Sequence, residues 1–264
     1  MLNITVPATT LFHIGPVPIS DGVLNAGLIS LGLAIFALLV SKRFTRVPGR
    51  LQVACEALLG FVSNQLEVAF GDKQEARKFL PLFATTLIFI VLANQFTLVP
   101  LITSITYDGT LALRMPTSDL SGTIALALIM VVLAHVLALS ISPLGHIGSF
   151  IRVAPFLKVK SLMDFLNACI GFALGFMDII GEFSKVISLA CRLFGNMFAG
   201  NVMVAVIVSL SVYTSFLVPI PFLALGIFSG FVQAFVFMLL TMQFVAGSVA
   251  SAKAHRQAVV EATA

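Results

Sequence analysis

Six polar residues recur at helical spacing inside an apolar stretch of the chain: Asp178, Glu182, Lys185, Ser188, Arg192 and Asn196. At about 100° per residue they share a stripe roughly 120° wide, and the remaining faces carry Ile, Leu, Phe, Met and Ala. Ionisable groups in such surroundings are expensive, and their default explanation is a functional path with a partner for each charge. Asp178, Glu182 and Lys185 are spaced to pair with one another at i+4 and i+3, either as glue between helices or as part of such a path. Arg192 differs from them. A guanidinium keeps its charge at any ordinary pH, and glue has no need of a charge that cannot be titrated away. Arg192 is therefore the residue expected to serve ion translocation.

Other polar residues could face it. The last apolar segment carries Ser229, Gln233 and Gln243 within about 80° of helical arc, with Gly226 and Gly230 on the same side to permit close approach. A neutral amide such as Gln233 can orient a guanidinium without neutralising it. Asp119 opens the third apolar run, where it either caps the helix, as Ser118 also could, or belongs to the path. Asn94 lies two-thirds along the second run, with interhelical hydrogen bonding as the alternative role. His135, deep in the third run, could relay protons or be a hydrogen-bonded structural histidine. Cys55, Cys169 and Cys191 are isolated and read as small apolar residues. No Gly-x-Ser-x-Gly or His-Glu-x-x-His pattern occurs. No catalytic residue, metal ligand or cofactor site is expected.

The elements that hold these residues follow from composition. Of 264 residues, 59% are hydrophobic and only 10% charged, with a mean hydropathy of +1.09. A soluble domain carries about a quarter charged residues, so this chain lacks the polar surface to be one. Apolar runs near the length that crosses a bilayer core of roughly 30 Å predict spans over residues 24–40, 79–101 and 120–141. Residues 51–70 are interrupted by Gln52, Glu56, Asn64, Gln65 and Glu67 and read as an amphipathic helix lying at the interface. Pro48-Gly49 breaks the chain before it, and residues 103–118 form a polar loop. Residues 162–212 would be roughly 75 Å long as one helix, so that stretch must be steeply tilted, bent or split. Pro219 and Pro221 mark the turn after it, and residues 222–249 form the last segment. The fold expected is a single membrane-integral α-helical domain over residues 1–264, with about five crossings and one interfacial helix.

Charge sets the orientation. If 162–212 crosses once, residues 42–78, 142–164 and 253–264 lie on one side and hold 12 of the 15 Lys and Arg residues. Arg114 alone lies opposite, while Lys185 and Arg192 sit within apolar sequence. That bias places the N-terminus outside and the C-terminus in the cytoplasm or its equivalent. The first run has no basic region ahead of it and no cleavage pattern, so it reads as a retained span. The net charge of +4 does not imply a nucleic-acid partner, because the basic residues lie in short loops rather than on one face.

The stretch Ser188-Leu-Ala-Cys-Arg192-Leu-Phe-Gly-Asn196-Met-Phe-Ala-Gly200 resembles subunit a of F-type ATP synthases, whose pattern is Ser-Leu-x-x-Arg-Leu-Phe-Gly/Ala-Asn-x-x-Ala-Gly. Gln233-Ala-Phe-Val-Phe is similar to that family's Gln-Ala-Phe-Ile-Phe stretch in the final helix. Val47-Pro-Gly-Arg-Leu-Gln-Val-Ala-Cys-Glu56 resembles its lead into a Glu-bearing surface helix, Asn94 to Pro100 its Asn-x-x-x-x-x-Pro element, and Pro116-Thr-Ser-Asp119 with Thr123 its outer Asp motif. The matches are collinear over most of the chain.

The resemblance implies a non-catalytic stator subunit set against a rotating ring of c subunits in an energy-coupling membrane, bacterial by the absence of a transit-type segment. The ring, the peripheral stalk subunit b, other synthase subunits and the lipid bilayer would be its partners. Two offset half-channels, carrying protons or Na⁺, would be separated by Arg192, with Asn196 and Gln233 lining its site. The 162–212 and 222–249 segments would form a tilted hairpin against the ring. Asp119, Asn94 and His135 would serve the outer half-channel. Asp178 matches a family carboxylate on the inner side, and Lys185 and Ser188 also match; Glu182 shares the face of Asp178. Two positions depart from the family: Asn201 and Gly226 stand where many members carry an ionisable pair. Water and Asp119 would then carry more of the outer relay. A secondary transporter and an intramembrane hydrolase are the alternatives; the first would show repeats with broken helices, the second a nucleophile with its partners.

Overall fold

The computed structural model describes residues 10–14, 17–42, 48–95, 106–107, 110–111, 117, 119–150, 162–210 and 219–263. Those residues are almost entirely helical. We number the helices α1 (Asp21–Ser41), α2 (Arg50–Phe70), α3 (Lys73–Gln95), α4 (Leu120–Ile141), α5 (Pro143–Phe150), α6 (Leu162–Leu210) and α7 (Pro219–Thr263). Two short antiparallel ladders, β1 (Thr10–Ile14) with β2 (Val17–Ser20) and β3 (Thr106–Tyr107) with β4 (Thr110–Leu111), lie outside them. Every helix but α5 is long and apolar enough to cross a membrane, α2 being the least apolar of the six. Many large apolar side chains point outward, among them Leu31, Leu38, Ile129, Phe176, Phe183 and Phe228. That is the surface of a protein solvated by lipid, where exposed Leu and Phe cost nothing. The chain is an all-α polytopic membrane protein.

Within the 162–212 stretch, the described residues 162–210 are not split, because α6 runs as one helix of 49 residues. The segment expected to begin at 222 begins three residues earlier. Pro219 and Pro221 fall in the first turn of α7, where backbone N–H groups have no intrahelical partner and a proline removes nothing. The second predicted run likewise starts earlier, at Lys73, with Pro81 inside the helix. Thr85 Oγ1 donates to Pro81 O at 2.7 Å and Thr86 Oγ1 to Leu82 O at 2.8 Å, so carbonyls around the proline gain donors. Residues 96–101 of that run, most of the 103–118 loop, and Arg43, Arg46, Arg152, Lys158 and Lys160 lie outside the described residues.

Contacts group the chain into two compact units. The first comprises Met1–Ala125 and Ala190–Leu239. Within it α3 packs on α1 and α2, burying Val62, Leu66, Phe83, Leu87, Ile90 and Ala93. The turn from α2 to α3 is fixed locally. Gly71 adopts φ 69°, ψ 0° and donates to Glu67 O at 3.0 Å, a left-handed cap that a Cβ disfavours. Asp72 then accepts the N–H of Gln74 at 2.9 Å to start α3, and Phe70 stacks on Phe79 across the turn at 4.7 Å. Farther along, Phe61 of α2 meets Phe235 of α7 at 5.5 Å. The second unit comprises Leu126–Leu189 and Leu240–Ala264. Its core is Ala127, Met130, Ala134 and Ala138 of α4, Ala168 and Leu189 of α6, and Met242, Val245, Val249 and Ala252 of α7. Small residues at many of these positions let helix backbones approach where no hydrophobic drive operates between helices in lipid.

Candidate functional site

In the first unit, Arg192 lies on an exposed face of α6, while Leu193 and Met197 beside it are buried. Among the described residues it makes no hydrogen bond or ion pair. One turn later, Asn196 Nδ2 donates to Gln233 Oε1 of α7 at 3.0 Å. Gln233 is buried, and its Nε2 has no hydrogen-bond partner among the described residues. The two amides thus engage each other, and among the described residues neither bonds the guanidinium. Ser188 of the same stripe is also exposed.

Asn94 is buried in α3 and donates through Nδ2 to the Gly230 carbonyl of α7 at 3.0 Å. Its neighbour Gln95 does the same to Ile227 O at 2.9 Å. Both amides bind carbonyls of the helix that carries Gln233. Gly230 makes this possible: a Cβ there would lie 3.0 Å from Gln95 Nε2 and 3.3 Å from Asn94 Cβ. The close approach expected of Gly230 is therefore to α3. At Gly226 no described atom lies within 4 Å of the Cβ position, so that glycine marks no tight contact. Gln95 was not singled out from sequence; its adjacency to Asn94 in an apolar run was the available signal.

Asp119 stands immediately before α4 and behaves as a cap. Its carboxylate accepts the backbone N–H of Ser121 at 3.3 Å and the Ser121 hydroxyl at 2.7 Å, and its carbonyl accepts the Thr123 N–H at 3.2 Å. The bond to Ser121 N–H satisfies a first-turn group that a helix start leaves unpaired, and the bond from Thr123 N–H is the first of the helical ladder. Pro116 and Ser118 lie outside the described residues.

The second unit brings together four side chains from three helices. Glu182 of α6 binds Lys185 Nζ one turn on, and its other oxygen lies 3.3 Å from His135 Nε2 of α4. His135 Nδ1 is in turn 3.0 Å from His146 Nε2 of α5. Sequence reasoning grouped His135 with Asp119 and Asn94 toward the outer side. The geometry instead joins it to the acid–lysine pair, because α5 folds back so that its histidine meets α4 eleven residues after His135. His146 carried no expectation from sequence, since a histidine in a short connecting segment has no periodic signal. Phe150 sets its ring edge-on to both imidazoles, at 5.8 Å and 5.2 Å, and Lys185 Nζ lies 5.0 Å from the centroid of Phe244. Burial, and after it the neighbouring His135, hold the His146 pKa below its ordinary value, against a smaller opposing pull from Glu182. Asp178 is exposed on α6.

Apolar helices long enough to span a bilayer, carrying charged and amide groups within them, define a multi-pass α-helical membrane protein. Residues 23–246 match the family model described as ATP synthase A chain. The chain is 34% identical over 240 residues to "ATP synthase subunit a" of Moorella thermoacetica, covering 90% of this chain and 95% of that protein. It is 31% identical over 229 residues to the protein of that name from Citrifermentans bemidjiense, with 87% of each covered. Against "ATP synthase subunit a 1" of Hahella chejuensis it is 32% identical over 247 residues, or 94% of this chain and 92% of the other. The chain belongs to the ATP synthase A chain family, the subunit a of F-type ATP synthases. Membership displaces the transporter and hydrolase alternatives.

Proposed function

We propose that this chain is the ion-translocating stator subunit of a rotary F-type ATP synthase, with Arg192 facing a ring of c subunits between two offset aqueous half-channels. The observation that carries this reading is the guanidinium itself: exposed on an apolar spanning helix, with no ion pair among the described residues. Such a charge in lipid is costly unless a partner subunit supplies a counter-charge. A ring carboxyl must be neutral while it faces lipid; opposite Arg192 its ionised form is favoured, its pKa falls, and its proton or Na⁺ is released. An arginine suits this role because it cannot lose its own proton and pass it on. The Asn196–Gln233 pair fixes the groups beside it. Ion flow then requires ring rotation, which drives the catalytic head, so the chain itself catalyses no bond chemistry.

Around this centre, Asp119 and Asn94 serve the outer half-channel, and Asp178, Glu182, Lys185 and Ser188 the inner one. His135 is better assigned with Glu182. The peripheral stalk subunit b and other synthase subunits dock on the remaining faces, in a bacterial inner membrane with the N-terminus outside and the C-terminus cytoplasmic. In this arrangement α2 lies along the interface. Were α2 to cross, Lys73, Arg77 and Lys78 would be parted from Lys42 and Arg50, against the bias of basic residues to one side.

Arg192→Ala in the reconstituted complex tests the reading. Ion-driven ATP synthesis should be abolished while the complex assembles normally; synthesis at the wild-type rate would refute it.

A further inference from the structure

Two imidazoles and a carboxylate stand in line in the second unit, and hydrogen-bond accounting gives that line a direction. An ionised Glu182 only accepts, so the His135 nitrogen facing it, Nε2, carries a hydrogen. A neutral His135 then has a lone pair on Nδ1, and the His146 Nε2 lying 3.0 Å away must be the donor. His146 belongs to α5, which is too short to span, whereas His135 and Glu182 lie within spanning helices. The line therefore leads from a connecting helix into the apolar part of α6.

We propose that His146, His135 and Glu182 form a proton relay that opens the inner half-channel, an inference that rests on the function proposed above. A proton binds Nδ1 of His146. Its Nε2–H bond breaks as an N–H bond forms at His135 Nδ1, and the His135 Nε2–H bond breaks as an O–H bond forms at Glu182. One proton enters and one is delivered, with no change in oxidation state. Release runs the same steps backwards. Each ring leaves a passage in its other tautomer and resets by exchanging its protons with water.

The surroundings fit a carrier rather than a sink. Lys185 Nζ donates to the Glu182 carboxylate at the end of the line. Burial and His135 disfavour a lasting charge on His146. Phe150 holds both rings by its edge-on contacts. Among the described residues, His255 of α7 also packs on α5, its ring occupying the space over Gly145 that any Cβ would fill.

The experiment uses the whole complex in liposomes, reading ATP synthesis and, after removal of the catalytic head, passive proton conductance. His146→Gln and His135→Gln keep a hydrogen-bonding group but cannot carry a proton. Each is expected to lower conductance about 100-fold, the low end of what a positioned acid–base group contributes. The double variant should be no worse than either single one, because links in series fail together, and added imidazole should restore much of the His146→Gln loss. Conductance at the wild-type level in either single variant, or losses that multiply in the double, overturns the relay. Should one variant fail to assemble, the other decides. Arg192→Ala, run in parallel, reports separately on the underlying reading.

Discussion

Arg192 lies one turn before Asn196, whose amide bonds to Gln233 rather than to the guanidinium. The amides bond each other at 3.0 Å, and in the proposed function the guanidinium is met by a carboxyl of the c-ring. His146 carries the clearest pH signature outside the spans. Its pKa is lowered from 6.5, first by burial and then by His135. Between that lowered value and 6.5 the unfolded segment binds more protons than the folded one, so stability rises with pH and falls on acidification. Amide exchange should report it: α5 loses protection in the wild-type complex as pH drops through 6.5, after correction for intrinsic exchange rates. In His146→Gln the pH dependence should vanish. Unchanged dependence in that variant would assign it to another group.

At the scale of elements, the decisive contact is α3 against α7. Asn94 and Gln95 both donate to α7 carbonyls, and Gly230 leaves room for them. The far end of Gln95 could swing aside for a methyl group, but Asn94 Cβ, 3.3 Å from the new atom, is tied to its backbone. Gly230→Val should therefore push the helices apart, break the Asn94 bond and destabilise the complex by about 1–3 kcal/mol, seen as a lower denaturation midpoint. Gly226→Val, with open space around it, is the control. Equal effects would remove the special role given to Gly230. The capping of α4 by Asp119 belongs to this scale too, since Ser121 and Thr123 bind it at the turn that starts the helix.

At the scale of the whole molecule, the proposed orientation rests on the 12 of 15 basic residues that fall on one predicted side. An epitope placed after Ala264 should be reached by antibody only from the cytoplasmic face of sealed vesicles, and one near Thr10 only from the opposite face. Both labels on one face would mean an odd crossing has been missed or α2 spans. The outward Leu and Phe residues along α1, α4, α6 and α7 leave ample surface for lipid and for other subunits.

The amino-acid sequence by itself determined the class, the long helices and the polar stripe, but not the short helix α5. Hydropathy over twenty residues and spacing within one helix are local properties, and they leave open whether the mostly apolar 162–212 stretch is tilted, bent or split; residues 162–210 form one helix. Helix starts were less legible: Pro219 and Pro221 look like a turn until one notes that a first turn has no N–H bonds to lose. Family membership was legible too, because Arg192 and its neighbours form one contiguous pattern. Only the tertiary structure decided which polar groups meet. His135 and Glu182 lie 47 residues apart in sequence, and His146 matters only because a short helix returns it to α4. Asn94 and Gln95 reach Gly230 and Ile227 across more than a hundred residues. Pairings of that kind depend on how close two backbones come, which small residues on separate helices set jointly and no single stretch of sequence displays.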